Sequence, residues 1–201
     1  MPITPIQTDL VYNGRLGRAW IWDIAVDKNV RTKKERKRNA YPFSNFEFQD
    51  DSSPVIVYVR LPNFKNFRDH RYHYVRRNAQ TWIDTEIIPS GPWFPQTIKG
   101  QIEKEPHYSA GLTLDHSNPN RIVLSRLTGN NQFEIEAWVT KDLGKTWLVR
   151  SITKESTFLN VRPIIPRNFP SDSQPFLVLW MSGQYQYWTN YTTSIHYSYV
   201  K

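Results

Sequence analysis

Short runs of strand-forming residues, each closed by turn chemistry, recur along the chain. This recurrence constrains the fold more tightly than any other feature of the sequence. Residues 54–60, PVIVYVR, are almost continuously apolar and read as a strand. Residues 70–77, HRYHYVRR, and 81–88, TWIDTEII, alternate with a period of two. The turns between later runs read HSNPN, TGNN and KDLGK, rich in the residues that tolerate tight backbone geometry. The apolar set is dominated by Val, Ile, Thr and aromatics, with 8 Trp, 11 Tyr and 10 Phe among 201 residues. Such side chains suit a pleated, half-buried surface. Fourteen prolines further disfavour long helices.

The runs group into units. Residues 18–26, 54–60, 70–77 and 81–88 form a first four-stranded antiparallel unit, spanning 18–88, with an insertion at 28–53. Residues 1–17 are an N-terminal lead-in. A connecting loop, 89–106, carries four prolines and the aromatic pair Trp93 and Phe94. A second unit spans 107–160, with strands at 107–115, 121–127, 133–140 and 146–153. A third, partial unit spans 161–201, with strands at 161–166 and 176–181 and an aromatic tail at 185–200. Units of four short strands are a signature of propeller blades, although a β-sandwich or meander also has many short strands. The strand pattern alone implies an all-β fold of four-stranded antiparallel units and leaves the two architectures open.

Charge is concentrated. The chain carries a net +8, but residues 28–38, KNVRTKKERKR, hold seven basic residues and one acid, a net of +6 that leaves +2 for the rest. Such a run reads first as a solvated loop, then as a polyanion contact or a localisation signal. A nucleic-acid partner is disfavoured, because the basic residues sit in one loop and the aromatics in strands. The absence of cysteine excludes disulfides and thiolate chemistry. No apolar run approaches the ~20 residues of a membrane helix, so no membrane partner is expected. The N-terminus lacks the charged-then-apolar pattern of a signal peptide; the expectation is a cytosolic chain or one that has lost its export signal. No Gly-rich phosphate loop, Gly-x-Ser-x-Gly elbow or His-Glu-x-x-His motif is present.

Residues 140–147 read TKDLGKTW. Asp142 is placed to accept backbone N–H bonds across the turn, Gly144 to supply a positive φ, and Trp147 to pack on the hairpin. The segment resembles the Asp-box, or bacterial neuraminidase repeat, Ser/Thr-x-Asp-x-Gly-x-Thr-Trp, at Thr140, Asp142, Gly144, Thr146 and Trp147. The phrases PVIVYVR, HRYHYVR, EPHYSAGLTLDHSNPN, VRPIIPR and VLWMSGQYQYWTNYTTSI look like the later blades of the Asp-box family of secreted bacterial propellers. That family includes ulvan lyases and propeller α-L-rhamnosidases. The resemblance covers most of the chain from Arg18 onward, as the C-terminal half of such a protein, and it tips the expected fold to all-β, a partial β-propeller of about two to three four-stranded antiparallel blades. It implies carbohydrate activity, as polysaccharide lyase or glycosidase, on acidic rhamnose/uronate polysaccharides, in an extracellular or periplasmic setting. The alternative is a non-catalytic carbohydrate-binding or structural propeller fragment. Two departures stand out. The chain has about half the expected blades, which implies self-association or a complementary N-terminal half-propeller, and the basic insertion replaces a tight hairpin.

In such a propeller the ligand binds over the central funnel, lined by the first strand of each blade. The candidates there are Trp20, Trp22 and Asp23, then His107 and Tyr108, then Arg162 and Arg167. An acidic sugar needs a guanidinium for its carboxylate, a proton-transfer group and an aromatic face. For β-elimination, Arg162, with Arg167, pairs the carboxylate, and His107 or Tyr108 acts as base or acid. Trp22 and Asp23 complete the substrate-binding set. Each also has a structural reading: a turn hydrogen bond for His107, an inter-blade bridge for Arg162, a satisfied polar partner for Asp23. For glycoside hydrolysis, Asp23, Glu105 and Asp115 are the carboxylate candidates. His70 and His73, three apart on a strand, face opposite ways, so no metal site is expected. No cofactor is implied, though the family resemblance leaves room for a structural calcium ion.

Overall fold

The computed structural model describes residues 7–12, 15–27, 53–62, 66, 68–78, 81–167 and 175–201, the first two strands by backbone alone. The described residues contain no helix and twelve strands. The first sheet runs β1 (Gln7–Tyr12), β2 (Arg15–Asp27), β3 (Ser53–Leu61), β4 (His70–Asn78) and β5 (Thr81–Gly91). The second comprises β6 (Leu112–Leu114), β7 (Arg121–Leu127), β8 (Phe133–Val139) and β9 (Leu148–Ser151). The third comprises β10 (Leu159–Ile164), β11 (Phe176–Tyr187) and β12 (Asn190–Val200). Within each sheet the strand order is the chain order, and every pairing is antiparallel.

The period-two patterns decide which faces meet. Val55, Val57, Val59 and Leu61 of β3, with Tyr72 and Tyr74 of β4, pack on Leu112, Leu114, Ile122, Leu124 and Trp138 of the middle sheet. On the other face of that sheet, Val123, Ile135 and Ala137 meet Ile165, Phe176, Val178, Trp180 and Val200. Strands β6, β7 and β8 of the middle sheet are therefore largely buried on both sides, while β9 is exposed, and the two cores stack the three sheets in chain order. A third cluster, with Phe94, Ala110, Phe133, Leu159, Val161 and Tyr185, closes one region of the stack.

Equal four-stranded units appear in the middle sheet only. The lead-in supplies β1 and the start of β2, so the first sheet has five strands. The third has three, because residues 176–200 are consumed by one long hairpin. β6 is three residues long rather than spanning 107–115. Its approach bends at Gly111, at φ 98°, whose carbonyl accepts the Ser125 N–H. The basic run 28–38 lies outside the described residues.

The turn between β8 and β9 is closed by its own side chains. Asp142 accepts the Thr146 N–H at 2.8 Å and the Thr146 hydroxyl at 2.6 Å. Thr140 Oγ1 accepts the Gly144 N–H at 2.8 Å and donates to Asp142 at 2.9 Å. The Trp147 indole donates to the Gly144 carbonyl at 3.1 Å. Leu143 and Gly144 both adopt left-handed backbone, at φ 63° and 91°. The turn also reaches the first sheet: the Tyr74 ring lies against Gly144 and meets Trp147 edge-on at 5.2 Å.

Two predictions follow from this turn. A Cβ on Gly144 would sit 2.6 Å from the Tyr74 ring, in a backbone conformation that disfavours it. Gly144→Ala should therefore destabilise the fold by roughly 1–3 kcal/mol, read as a lower melting temperature that Tyr74→Leu partly restores. The second concerns acid. The Thr146 hydroxyl and N–H hold the Asp142 carboxyl at about 2, below its ordinary 3.8. Its stabilising contribution is complete above the unfolded value and is lost as pH falls from about 4 through about 2. Asp142→Asn should flatten the melting-temperature profile over that window and leave its neutral-pH slope unchanged.

Candidate functional site

The loop after β5 gathers side chains from all three sheets. Gly91, at φ 97°, starts it, with Leu127 packed where a Cβ would stand. The Phe94 N–H donates to the Tyr108 carbonyl at 3.2 Å. The Gln96 N–H donates to the Tyr185 carbonyl at 2.6 Å, and the Gln96 side-chain oxygen accepts the Tyr185 N–H at 3.1 Å. The loop is thereby hydrogen-bonded to β11. Phe94 is buried in the third apolar cluster, against which Tyr108 packs.

Arg162 enters from β10. Its backbone is left-handed, φ 55°, unusual for a residue with a long side chain. It coincides with a local irregularity, where β10 and β11 lose register between Val161 and Ile164, and it runs against the extended backbone that Pro163 favours in the residue before it. The Arg162 N–H meanwhile donates to the Ala110 carbonyl at 2.6 Å. The guanidinium then lies over the Tyr108 ring at 4.7 Å and the Phe94 ring at 5.2 Å. Burial lowers its pKa, opposed by the charges of Tyr108, Tyr185 and Glu105.

Tyr185 completes the cluster. Its ring is 5.1 Å from Phe94, 6.3 Å from Tyr108 and stacked on Tyr191 at 6.1 Å. Its hydroxyl donates to Glu105 at 2.8 Å. Burial raises the Glu105 carboxyl; the Tyr185 bond lowers it, and the neighbouring Glu103 raises it. Burial likewise raises the Tyr185 phenol, with the Glu105 bond adding to it. Beneath the cluster, the buried Tyr72 of β4 donates to the Ser125 carbonyl at 2.7 Å and accepts from Ser109 at 3.2 Å. A guanidinium, a carboxyl group and a wall of phenols therefore share one locality.

The sequence candidates separate. Tyr108 and Arg162 come together, joined by Glu105, one of the three carboxylate candidates. His107 is exposed in the turn just before Tyr108, and Arg167 is exposed after β10. Asp23 pairs with Val57 in register and Trp22 falls at the register shift beside it; their side chains lie outside the described residues. Asp115 is committed elsewhere. It is buried, binds the Arg121 guanidinium at 3.0 Å and accepts the Ser117 N–H and hydroxyl at 2.9 and 2.6 Å. It caps the turn after β6 and offers no group to a sugar. Sequence reasoning missed Tyr185, in the aromatic tail at 185–200, and Phe94, in the connecting loop, as members of this cluster. Neither strand period nor spacing links positions so far apart; the one available signal was the aromatic density of their segments.

Comparison with protein-family models, with curated proteins and with solved structures finds no match.

The Tyr185–Glu105 bond makes a direct prediction. Tyr185→Phe removes the hydroxyl that favours the ionised carboxylate, so the Glu105 carboxyl should titrate at higher pH than in the wild type. Carbon-detected NMR of the Glu105 side chain measures this, and an unchanged titration would show that the bond does not persist in solution.

Proposed function

We propose that the chain is a carbohydrate-active protein that binds an acidic, uronate-containing saccharide at the Arg162 cluster. The observation that carries this reading is Arg162 itself. A non-glycine residue is held in left-handed backbone while its guanidinium face is laid on two aromatic rings. Backbone strain of this kind, of order 1–3 kcal/mol, persists where the surroundings over-determine it and clusters at functional sites. A guanidinium stacked by its face directs its N–H groups in plane, the geometry that matches a planar carboxylate. Phenol rings beside it suit the apolar faces of a sugar.

On this reading the fold is a partial β-propeller. Its support is that β6 lies near both β2 and β10, so early strands of the three sheets come close together. The Asp-box resemblance of residues 140–147 and the side-chain closure of that turn point the same way. The finer proposal is lyase-like chemistry. Arg162 neutralises the uronate carboxylate and so acidifies the C5 proton. His107 or Tyr108 takes that proton, the C4–O bond breaks as the C4–C5 double bond forms, and the departing oxygen takes a proton from the other. Glu105, its proton held more tightly by burial, is the carboxyl group best placed for a glycosidase-like alternative. Arg167, Trp22 and Asp23 remain proposed contacts to a longer ligand.

Calorimetry with a rhamnose–glucuronate oligosaccharide, together with absorbance of an unsaturated uronate product, tests this. Arg162→Gly suits the left-handed backbone yet removes the guanidinium, so binding should fall by at least about 100-fold with the fold intact. Arg162→Lys should recover only part of it. His107→Ala should spare binding and remove turnover. Binding without turnover in the wild type would leave a non-catalytic sugar-binding module. Unchanged binding in Arg162→Gly would overturn the site.

A further inference from the structure

Among the described residues, the third sheet ends on a strand with unusual properties. β12 is terminal in the order β10-β11-β12, whereas the middle sheet it packs on has a fourth strand. β12 is eleven residues long, NYTTSIHYSYV. It contains no proline and no charged residue, and neither does β11. Residues 176–200 are thus free of formal charge in a chain that is 22% charged. Exposed edges are ordinarily protected by charge, proline or a bulge, and none of these interrupts residues 191–200. Its side chains are open as well: Ile195 is 71% exposed, Tyr197 67% and Tyr199 55%. Tyr197 stands in register with Leu179, and Leu179 with Ile164, which is itself exposed. The apolar row therefore runs from the edge across the sheet.

We infer that β12 is a homodimerisation edge, pairing antiparallel with β12 of a second copy across a two-fold axis at Ile195. The commitment to a second copy rests on self-complementarity. Full overlap of residues 190–200 sets Ile195 opposite itself, Thr193 opposite Tyr197, Tyr191 opposite Tyr199, Ser194 opposite His196 and Thr192 opposite Ser198. Each is a favourable or neutral cross-strand pair, and the Ser–His pairing already occurs within the strand, where Ser194 and His196 are 2.9 Å apart. The strand has no charge with which to repel its copy or to select a charged partner, although each chain carries +8 overall. A two-fold contact is satisfied by one such surface alone. The result is a continuous six-stranded sheet with both β12 edges closed, and it is independent of the saccharide reading.

Sedimentation equilibrium of the intact chain should show a dimer at micromolar concentration. Ile195→Lys places two ammonium groups opposite each other at the axis and should weaken dimerisation by about tenfold or more. Ile195 is exposed, so the melting temperature measured on the dilute protein should hold. The native chain has no cysteine, so cross-linking reads the register directly. Ile195→Cys should form a disulfide dimer on mild oxidation. Tyr199→Cys alone should not, whereas mixing it with Tyr191→Cys should. A wild type that stays monomeric, a dimer indifferent to Ile195→Lys, or cross-linking of Tyr199→Cys in place of Ile195→Cys would each overturn the inference.

Discussion

Burial of β6, β7 and β8 of the middle sheet on both faces is the constraint on which the rest of the structure depends. A sheet so placed has no water to satisfy its polar side chains, and every one must find a partner in a neighbour. Glu134 of β8 shows how this is met. Its carboxylate, buried in the strand, accepts the Ser156 N–H and hydroxyl at 2.8 Å each, the Thr153 hydroxyl at 2.5 Å and the Asn160 amide at 3.3 Å. Asn160 in turn accepts the Trp180 indole N–H at 2.9 Å, and its carbonyl accepts the Ser125 hydroxyl at 2.6 Å. One acidic side chain thus ties β8, the segment before β10, and β11 into a single network. Losing its carboxylate would leave several buried donors without an acceptor, which is costlier than losing one hydrogen bond.

The same constraint acts on the opposite face with different chemistry. There the first sheet sends tyrosines, whose rings fill the core while their hydroxyls reach carbonyls of the middle sheet's segment. Tyr72 reaches Ser125 at 2.7 Å and Tyr74 reaches Pro119 at 3.1 Å. Arg76 adds a bond to Asn120 at 2.7 Å, and Arg121, held by Asp115, lies over Phe176 of the third sheet at 4.2 Å. Tyrosine suits this work because one side chain supplies both apolar area and a hydrogen bond at its far end. The aromatic richness of the sequence is therefore largely the cost of stacking sheets whose inner faces cannot be wholly apolar.

Much of this was legible in the sequence, for a physical reason. A period of two is imposed by the pleat, so β3, β4, β7 and β8 could be read locally, and the TKDLGKTW turn announced its own closure through residues within one turn of each other. What could not be read were features set by contacts between distant segments. The shortening of β6 depends on Gly111 meeting Ser125, and the fifth strand of the first sheet on pairing by β1. Asp115 is a carboxylate candidate by sequence, and only the fold shows that Arg121 is bonded to it. The Arg162 cluster shows the same limit. Tyr108 and Arg162 were both chosen as candidates from the positions they hold at the starts of units. Phe94 and Tyr185, which shape their surroundings, belong to a loop and a long hairpin whose meeting no local pattern encodes.

The position of the cluster is itself a consequence of the stacking. Three sheets laid face to face leave their connecting segments at the margins, and the longest described connection, between β5 and β6, must pass from the first sheet to the second. It does so over the third, fixed by Gln96 to β11 and by Ala110 to Arg162. A loop anchored at both of those points cannot move without also moving β10 and β11. The guanidinium, the phenols and Glu105 are accordingly held by the same bonds that join the second sheet to the third. A ligand bound there would meet a preformed arrangement, with little ordering cost to offset. Substitutions in the loop should then act on stability and on ligand affinity together, whereas substitutions of the guanidinium alone should separate the two.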